Sequence, residues 1–180
     1  MGYETIKTLS LGKGFWLDLK VDPEAPVDAV YKYAMDFTCD GGEDSVLFEN
    51  PPHWHEHHTE HITILEGSAL VTVEGKTSRV HSGDPECVVP ATQVHSIKSI
   101  RGEKMVLRES PEPAGLYKAQ FFHDFFSSGT YPGFWHALRA FYNGDTYIAL
   151  PGNIKLLDKA FILVFGGIAK LFITPKKHFK

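Results

Sequence analysis

The stretch Pro51-Pro52-His53-Trp54-His55-Glu56-His57-His58-Thr59-Glu60 decides how this chain reads. In an extended strand, side chains two residues apart share a face, so His53 and His55 point one way and Trp54 the other. A short loop can return Glu60 beside the two histidines from the next strand. Two imidazoles and a carboxylate form a facial set that suits Fe(II) and similar divalent ions and leaves coordination positions open. Mounting two donors on one rigid strand also lowers the entropy of assembling such a site. Trp54 is expected to pack in a wall or against later helices.

The surroundings of this stretch are β-rich. Before Pro111, short runs alternate with Gly, Pro, Asp and Asn punctuation at the spacing of a sandwich or barrel. The expected strands are 30–37, 45–49, 61–65, 69–74, 78–81, 86–89, 94–99 and 105–109. Glu74-Gly75-Lys76 reads as a tight hairpin and Gly83-Asp84-Pro85 as a turn. After Pro111 the period changes. Tyr117, Phe121 and Phe125 recur every four residues, with Phe122 and Phe126 on the next stripe. Phe134, Trp135, Leu138, Phe141 and Tyr142 repeat the pattern of one buried helix face. A third helix is expected after Pro151-Gly152. The chain thus divides into an antiparallel barrel over 1–110, with its core at 28–110, and a helical extension over 111–180. That extension would pack on the barrel or at a dimer interface.

At this point the motif resembles that of the cupin superfamily, in which His-x-His is followed by three or four residues, Glu, six residues and Gly. His53-Trp54-His55, then Glu60, then Gly67 meet that spacing, and Pro90 followed by His95 meets the second motif. Gly83-Asp84 resembles the turn that precedes it. Leu47, Thr92 and Ser99 stand where the pattern has Gly, Gly and Asn, and the interval from Gly83 to Pro90 is one residue longer. These departures fall in turns, not at donors. The resemblance spans about Asp28 to Ser110 and implies a jelly-roll barrel with His53, His55, Glu60 and His95 holding one divalent transition-metal ion. Iron is favoured, with Mn, Ni, Cu, Co or Zn as alternatives.

The resemblance extends to small single-barrel proteins like the quercetin dioxygenases, in which the glutamate of the ligand set also serves as a base. Glu60 is therefore the expected catalytic residue of an oxygenase acting on a small apolar enolic or phenolic molecule. The chain also resembles single cupins found beside natural-product pathways. A non-redox Lewis-acid enzyme (isomerase, cyclase, dehydratase or decarboxylase) is the alternative, and a non-catalytic ligand-binding barrel the second. His57, His58 and His61 read as surface residues or supports behind the donors. Tyr33, Phe37 and Arg108 are candidates to line the cavity, and the aromatic stripes after Pro111 could form its lid. His123, His136 and His178 are given no role. A homodimer is expected from the same resemblance.

Composition excludes other classes. A net charge of −4 and a pI near 6.2 argue against binding a nucleic-acid backbone, which needs clustered Lys and Arg. Lys176, Lys177 and Lys180 read as a solvated tail. Two cysteines, Cys39 and Cys87, do not make a disulfide framework. The N-terminus has no cationic start before an apolar run, and Ile6 occupies the place where a myristoylation motif needs Ser or Thr. A cytoplasmic protein is expected. The apolar run within Ile154 to Ile173 is too short to span a bilayer. It reads as a buried or dimer-forming helix, with contact to a lipid surface as the minority reading.

Overall fold

The structure, a computed structural model, describes residues 2–176; Lys177, His178 and Lys180 lie outside the described residues. Ten strands and four helical pieces follow in chain order: β1 (Glu4–Gly12), β2 (Phe15–Val21), β3 (Tyr33–Cys39), β4 (His53–Trp54), β5 (Thr59–Val73), β6 (Lys76–His81), β7 (Cys87–Val89), β8 (His95–Ser99), β9 (Met105–Glu112), α1 (Tyr117–Phe125), α2 (Phe134–Asn143), β10 (Tyr147–Ile148), α3 (Lys155–Phe161) and α4 (Gly167–Ala169). A π-helical turn, Ile162–Gly166, makes α3 and α4 one continuous helix. The architecture is a mainly antiparallel β jelly roll followed by three C-terminal helices, as the sequence leads one to expect.

Period-2 alternation builds the core. Phe15, Leu17 and Leu19 of β2, Ile62 and Ile64 of β5 and Met105 and Leu107 of β9 turn inward and are nearly fully buried. The β1–β2 hairpin is absent from the expected strands, although Phe15-Trp16-Leu17-Asp18-Leu19-Lys20 alternates cleanly. Its Leu9 and Leu11 join the same core, which therefore begins before residue 28.

The two expected strands 61–65 and 69–74 are one long strand, β5. Its first half lies between β9 and β7 and its second between β6 and β8, so it carries the chain from one sheet of the jelly roll to the other. A bulge between Ile64 and Glu66 and a left-handed Gly67 (φ +73°) bend it at the crossing. A Cβ on Gly67 would be driven into the Lys104 carbonyl oxygen. Gly67→Ala should therefore cost about 2–5 kcal/mol, from left-handed strain plus overpacking. Thermal melting would show this as a Tm lower by roughly 4–20 °C; an unchanged Tm would mean the bend is not held by that contact.

Segment 45–49 forms no strand. Pro51-Pro52 follow it and cannot donate to a ladder, so it makes only scattered bonds to β8. Among these, Ser99 Oγ accepts the Phe48 N–H at 2.9 Å and Ile97 accepts the Asn50 N–H at 3.1 Å. The Glu74-Gly75 turn closes β5 onto β6 with both residues at positive φ (48° and 77°), the type I′ geometry suited to a two-residue hairpin. Both cysteines are free.

The helices close one end of the barrel. Phe122 of α1 packs edge-on against core Phe37 at 5.1 Å. A buried Asp124–Arg139 pair, with Arg139 Nη2 at 2.8 Å, ties α1 to α2. The α3–α4 helix then docks on the far side of α2. At Gly166 the absence of a side chain permits this approach, since a Cβ would lie 2.7 Å from the Leu138 carbonyl oxygen.

Candidate metal centre

Alternation also places the polar cluster. The inward series Glu60-Ile62-Ile64 in β5, His95-Ile97-Ser99 in β8 and Met105-Leu107-Glu109 in β9 each place one ionisable group, Glu60, His95 or Glu109, at an inward position. These groups lie at one end of the barrel, against the helices. β4 adds His53, with His55 just beyond it; His53 pairs with His95 in register on one side and with Ile148 of β10 on the other. The His-x-His segment is therefore held by a two-residue strand that the helical extension supplies.

His53, His55, Glu60 and His95 converge so that one potential donor atom from each lies within 4.8 Å of the others, and all four side chains are buried. Each ring has its Nδ1 against a backbone carbonyl. His53 donates to Pro51 at 2.8 Å, His55 to Asp145 at 2.7 Å and His95 to Gln93 at 3.1 Å. Those bonds fix the tautomer and aim each Nε2 lone pair inward. Burial is the largest effect on His53 and His55. It lowers the first well below the ordinary histidine value and the second to about 3, so both rings stay neutral.

The result is a set of acceptors facing acceptors. Glu60 Oε1 lies 2.9 Å from His55 Nε2, and Glu60 Oε2 lies 2.9 Å from His95 Nε2. His55 Nε2 has no hydrogen-bond partner although it is buried. Lone pairs crowded in this way are unfavourable unless a cation sits among them. Three imidazoles and a carboxylate are the donor chemistry of a divalent transition ion, so the group can hold a metal ion.

Three further residues complete the cluster. Lys118 of α1 is 2% exposed, bonded to Glu60 Oε1, 3.1 Å from His58 Nε2 and 3.3 Å from Glu109 Oε1. Burial alone would raise the Glu60 carboxyl, but the Lys118 ammonium and then His55 outweigh it and hold Glu60 well below the carboxylate range. Burial would lower Lys118, yet Glu60 and Glu109 push it up to about 12. Glu109, buried and beside charged Glu60, is pushed up to about 8. Asp145, at φ +53° in the loop before β10, accepts the Glu56 and His57 N–H groups and His58 Nδ1 through its carboxylate. It thus fixes the loop between the donors.

The other sequence candidates go elsewhere. His58 is buried behind His55, the two rings stacked at 3.9 Å, and His57 is exposed. His61 points to the opposite sheet face, between Glu86 at 2.8 Å and Glu112 at 3.2 Å. Trp54 turns away from the cluster, stacks on Tyr147 and donates Nε1 to Asp158. Tyr33, Phe37 and Arg108 do not line the cavity. Phe37 lies one layer behind it in the core, and Arg108 sits on the outer sheet face in a bidentate pair with Asp36. His136 stands 3.5 Å from Asp124 in the α1–α2 tie.

A cavity of about 290 Å³ opens over the cluster. Its polar end is His53, His55, Glu60, Glu109 and Lys118, and its walls are Phe48, Phe121, Phe122, Phe125, Phe126 and Phe141 with Tyr131 and Ile148. The aromatic stripes after Pro111 are thus its lid. Lys118, Glu109 and Asp145 escaped the sequence reading. Glu109 left a sign, as an acid in the inward register of Met105 and Leu107. Lys118 left one too, four residues before Phe122 on an apolar stripe. Asp145 left none, since its role depends on how α2 turns into β10.

This is the fold of a cupin, with a buried group of three histidines and one glutamate that can hold a metal ion. Residues 45–108 match the family model of the cupin domain. Among curated proteins none matches the chain. Similar solved structures include KdgF from Halomonas sp. (19% identity, TM-score 0.43, covering 64% of this chain and 88% of that one). An RmlC-like cupin from Shewanella frigidimarina NCIMB 400 gives 21% identity and TM-score 0.44 over 62% and 86% of the two chains. The polyketide cyclase RemF from Streptomyces resistomycificus gives 19% and 0.42 over 61% and 72%. Likeness at this level carries no reaction across to this chain.

Proposed function

We propose that the protein is a mononuclear metal-dependent enzyme, an oxygenase acting on a small, largely apolar molecule with an enolic or phenolic group. The cavity carries this reading, because it joins a metal-competent cluster to a phenylalanine wall. His53, His55, Glu60 and His95 would hold one divalent ion, Fe(II) first, with Mn, Ni, Co, Cu and Zn matching the same donors. Bound there, the ion supplies Lewis acidity and, where it is redox-active, a path for electrons between substrate and dioxygen.

The chain's own groups set the rest of the chemistry. The carbonyls of Pro51, Asp145 and Gln93 keep the three rings aimed. Lys118 holds the Glu60 carboxylate through Oε1. Glu60 then accepts the proton of the substrate hydroxyl, and the phenylalanines keep water from the anion so formed.

One observation favours a second reading, a non-redox isomerase, cyclase, dehydratase or decarboxylase. Glu109 and Lys118 place two further proton-carrying groups on the cavity beside Glu60, more than electron transfer alone requires. Oxygen uptake by metal-loaded protein, measured with flavonols and 1,3-diketones as probes, separates the two. Substrate-dependent uptake is expected. Conversion of a probe without uptake would replace the first reading by the second. Metal bound but no probe converted, with saturable binding alone, would leave a ligand-binding barrel and overturn both.

A further inference from the structure

We propose that the C-terminal helix seats the protein on a membrane surface of anionic lipid. The α3–α4 helix uses one stripe to pack, Asp158 against Trp54 and Leu150, and Ile162, Gly166 and Ala169 against α2. The opposite side is apolar yet exposed: Leu156 (76%), Val164 (55%) and Leu171 (84%) project from it, with Leu157, Leu163 and Ile168 alongside. Residues at these spacings return to one face of a helix. Contiguous apolar exposure of this kind marks a surface that something covers.

Charge says what covers it. From Pro151 onward lie six of the chain's 18 Lys and Arg but only one of its 22 Asp and Glu, so this segment is +5 in a chain of −4 and the remainder is −9. The single acid, Asp158, is fully buried, and its carboxylate accepts the Trp54 and Leu150 N–H groups. Among the described residues the exposed charges of this segment are therefore all lysines. Lys155 and Lys170 are exposed near the two ends of the helix, while Lys159 between them is bonded to Glu56 at 2.7 Å. Trp135, in edge contact with Phe172 at 5.4 Å, is part-exposed nearby, and an amphipathic indole suits the headgroup layer.

No helix among the described residues is long and apolar enough to cross a bilayer. An apolar face with a lysine edge instead lies in the plane of the interface, held by buried apolar area and by attraction to anionic headgroups. A second copy of the chain fits this surface less well. A two-fold contact would bury the leucines, but it would set lysines against lysines, and the neighbouring Glu56 carboxylate is already bonded to Lys159. The helix rests on α2, which turns Ala137 and Phe141 to the cavity on its other side. The proposed lipid-facing surface is thus one helix removed from the cavity, but the proposal holds whatever reaction occurs there.

Flotation of the full chain with vesicles of phosphatidylcholine alone or with phosphatidylserine tests this. Binding to the phosphatidylserine vesicles is expected, weakened by raised salt and by omission of the anionic lipid. Lys155→Glu with Lys170→Glu should weaken it roughly 20-fold or more, since each basic residue near the surface contributes roughly fivefold. Leu156→Glu with Val164→Glu should abolish it. All four side chains are exposed, and unchanged near-ultraviolet circular dichroism would show that the variants fold. Folded wild type that fails to float with anionic vesicles overturns the proposal. So does a wild type that is dimeric by light scattering, does not float, and becomes monomeric on Leu156→Glu with Val164→Glu.

Discussion

His55→Ala is expected to strip the protein of its ion. Wild type reconstituted with Fe(II), Mn(II) or Ni(II) should carry stoichiometric metal by elemental analysis, and the variant almost none. Losing a group that merely orients a ligand typically costs 10–100-fold in affinity, so losing the ligand itself should cost more than about 100-fold. His55 is also the ring whose buried Nε2 lacks a hydrogen-bond partner, so nothing else compensates when it goes. The thermal signature follows by mass action. At a hundred times the dissociation constant, an ion that binds only the folded state adds about 2.7 kcal/mol, or a Tm rise of roughly 5–11 °C for a chain of this size. The rise should vanish in His55→Ala and persist in His57→Ala, whose ring is exposed. A variant that keeps stoichiometric metal would place the ion elsewhere and sink the proposed centre.

Lys118→Met should have the second large effect, and it can be read without metal. The ammonium is buried between Glu60 and Glu109, and its removal leaves two buried carboxyls with no cation. Removing one partner of such a set costs about 3–5 kcal/mol, a Tm lower by roughly 6–20 °C at neutral pH. The cost should depend on pH. Burial first, and then the charge of Glu60, raise Glu109 from an ordinary 4.5 to about 8, and Lys118 opposes that rise. A carboxyl raised in the folded state holds a proton that the unfolded chain has released. Its contribution is complete below about 4.5 and is lost as pH climbs through about 8. Below about 6.5 the buried, neutral His53 and His55 act in the opposite sense, so metal-free wild type should lose stability between about 6.5 and 8. In Lys118→Met the opposing charge is gone, so the loss should continue to higher pH. Melts at several pH values from 5 to 9 would show it. A Tm deficit that is the same at every pH would make Lys118 a packing residue only.

His61 and His58 show where reading residues in order stops. Both stand within a few positions of Glu60. Strand alternation assigns His61 to the outer face, and it is found there, between two carboxylates. His58 precedes the strand, where no period applies, and the Asp145 carboxylate and the Lys118 ammonium fix it behind His55. The same distinction separates Glu109 from Asp145. The first could have been found by asking which inward strand positions are not apolar.

What the sequence determined by itself was whatever depends on local period and spacing. That covers most of the antiparallel strands, the switch to helical repeats after Pro111, the tight turn at Glu74-Gly75, and the side of the sheet on which His53, His55 and Glu60 fall. These follow from backbone geometry over a few residues, where side-chain direction repeats every 2 or 3.6 positions. The tertiary structure decided what depends on distant segments meeting. It set Lys118 from α1 against Glu60, bonds the Asp145 carbonyl to His55, supplies β10 to brace a strand of two residues, and leaves one side of the last helix uncovered. A polar group on an apolar stripe, such as Lys118, declares only that it needs a partner. Which partner it meets is set by how separate elements pack.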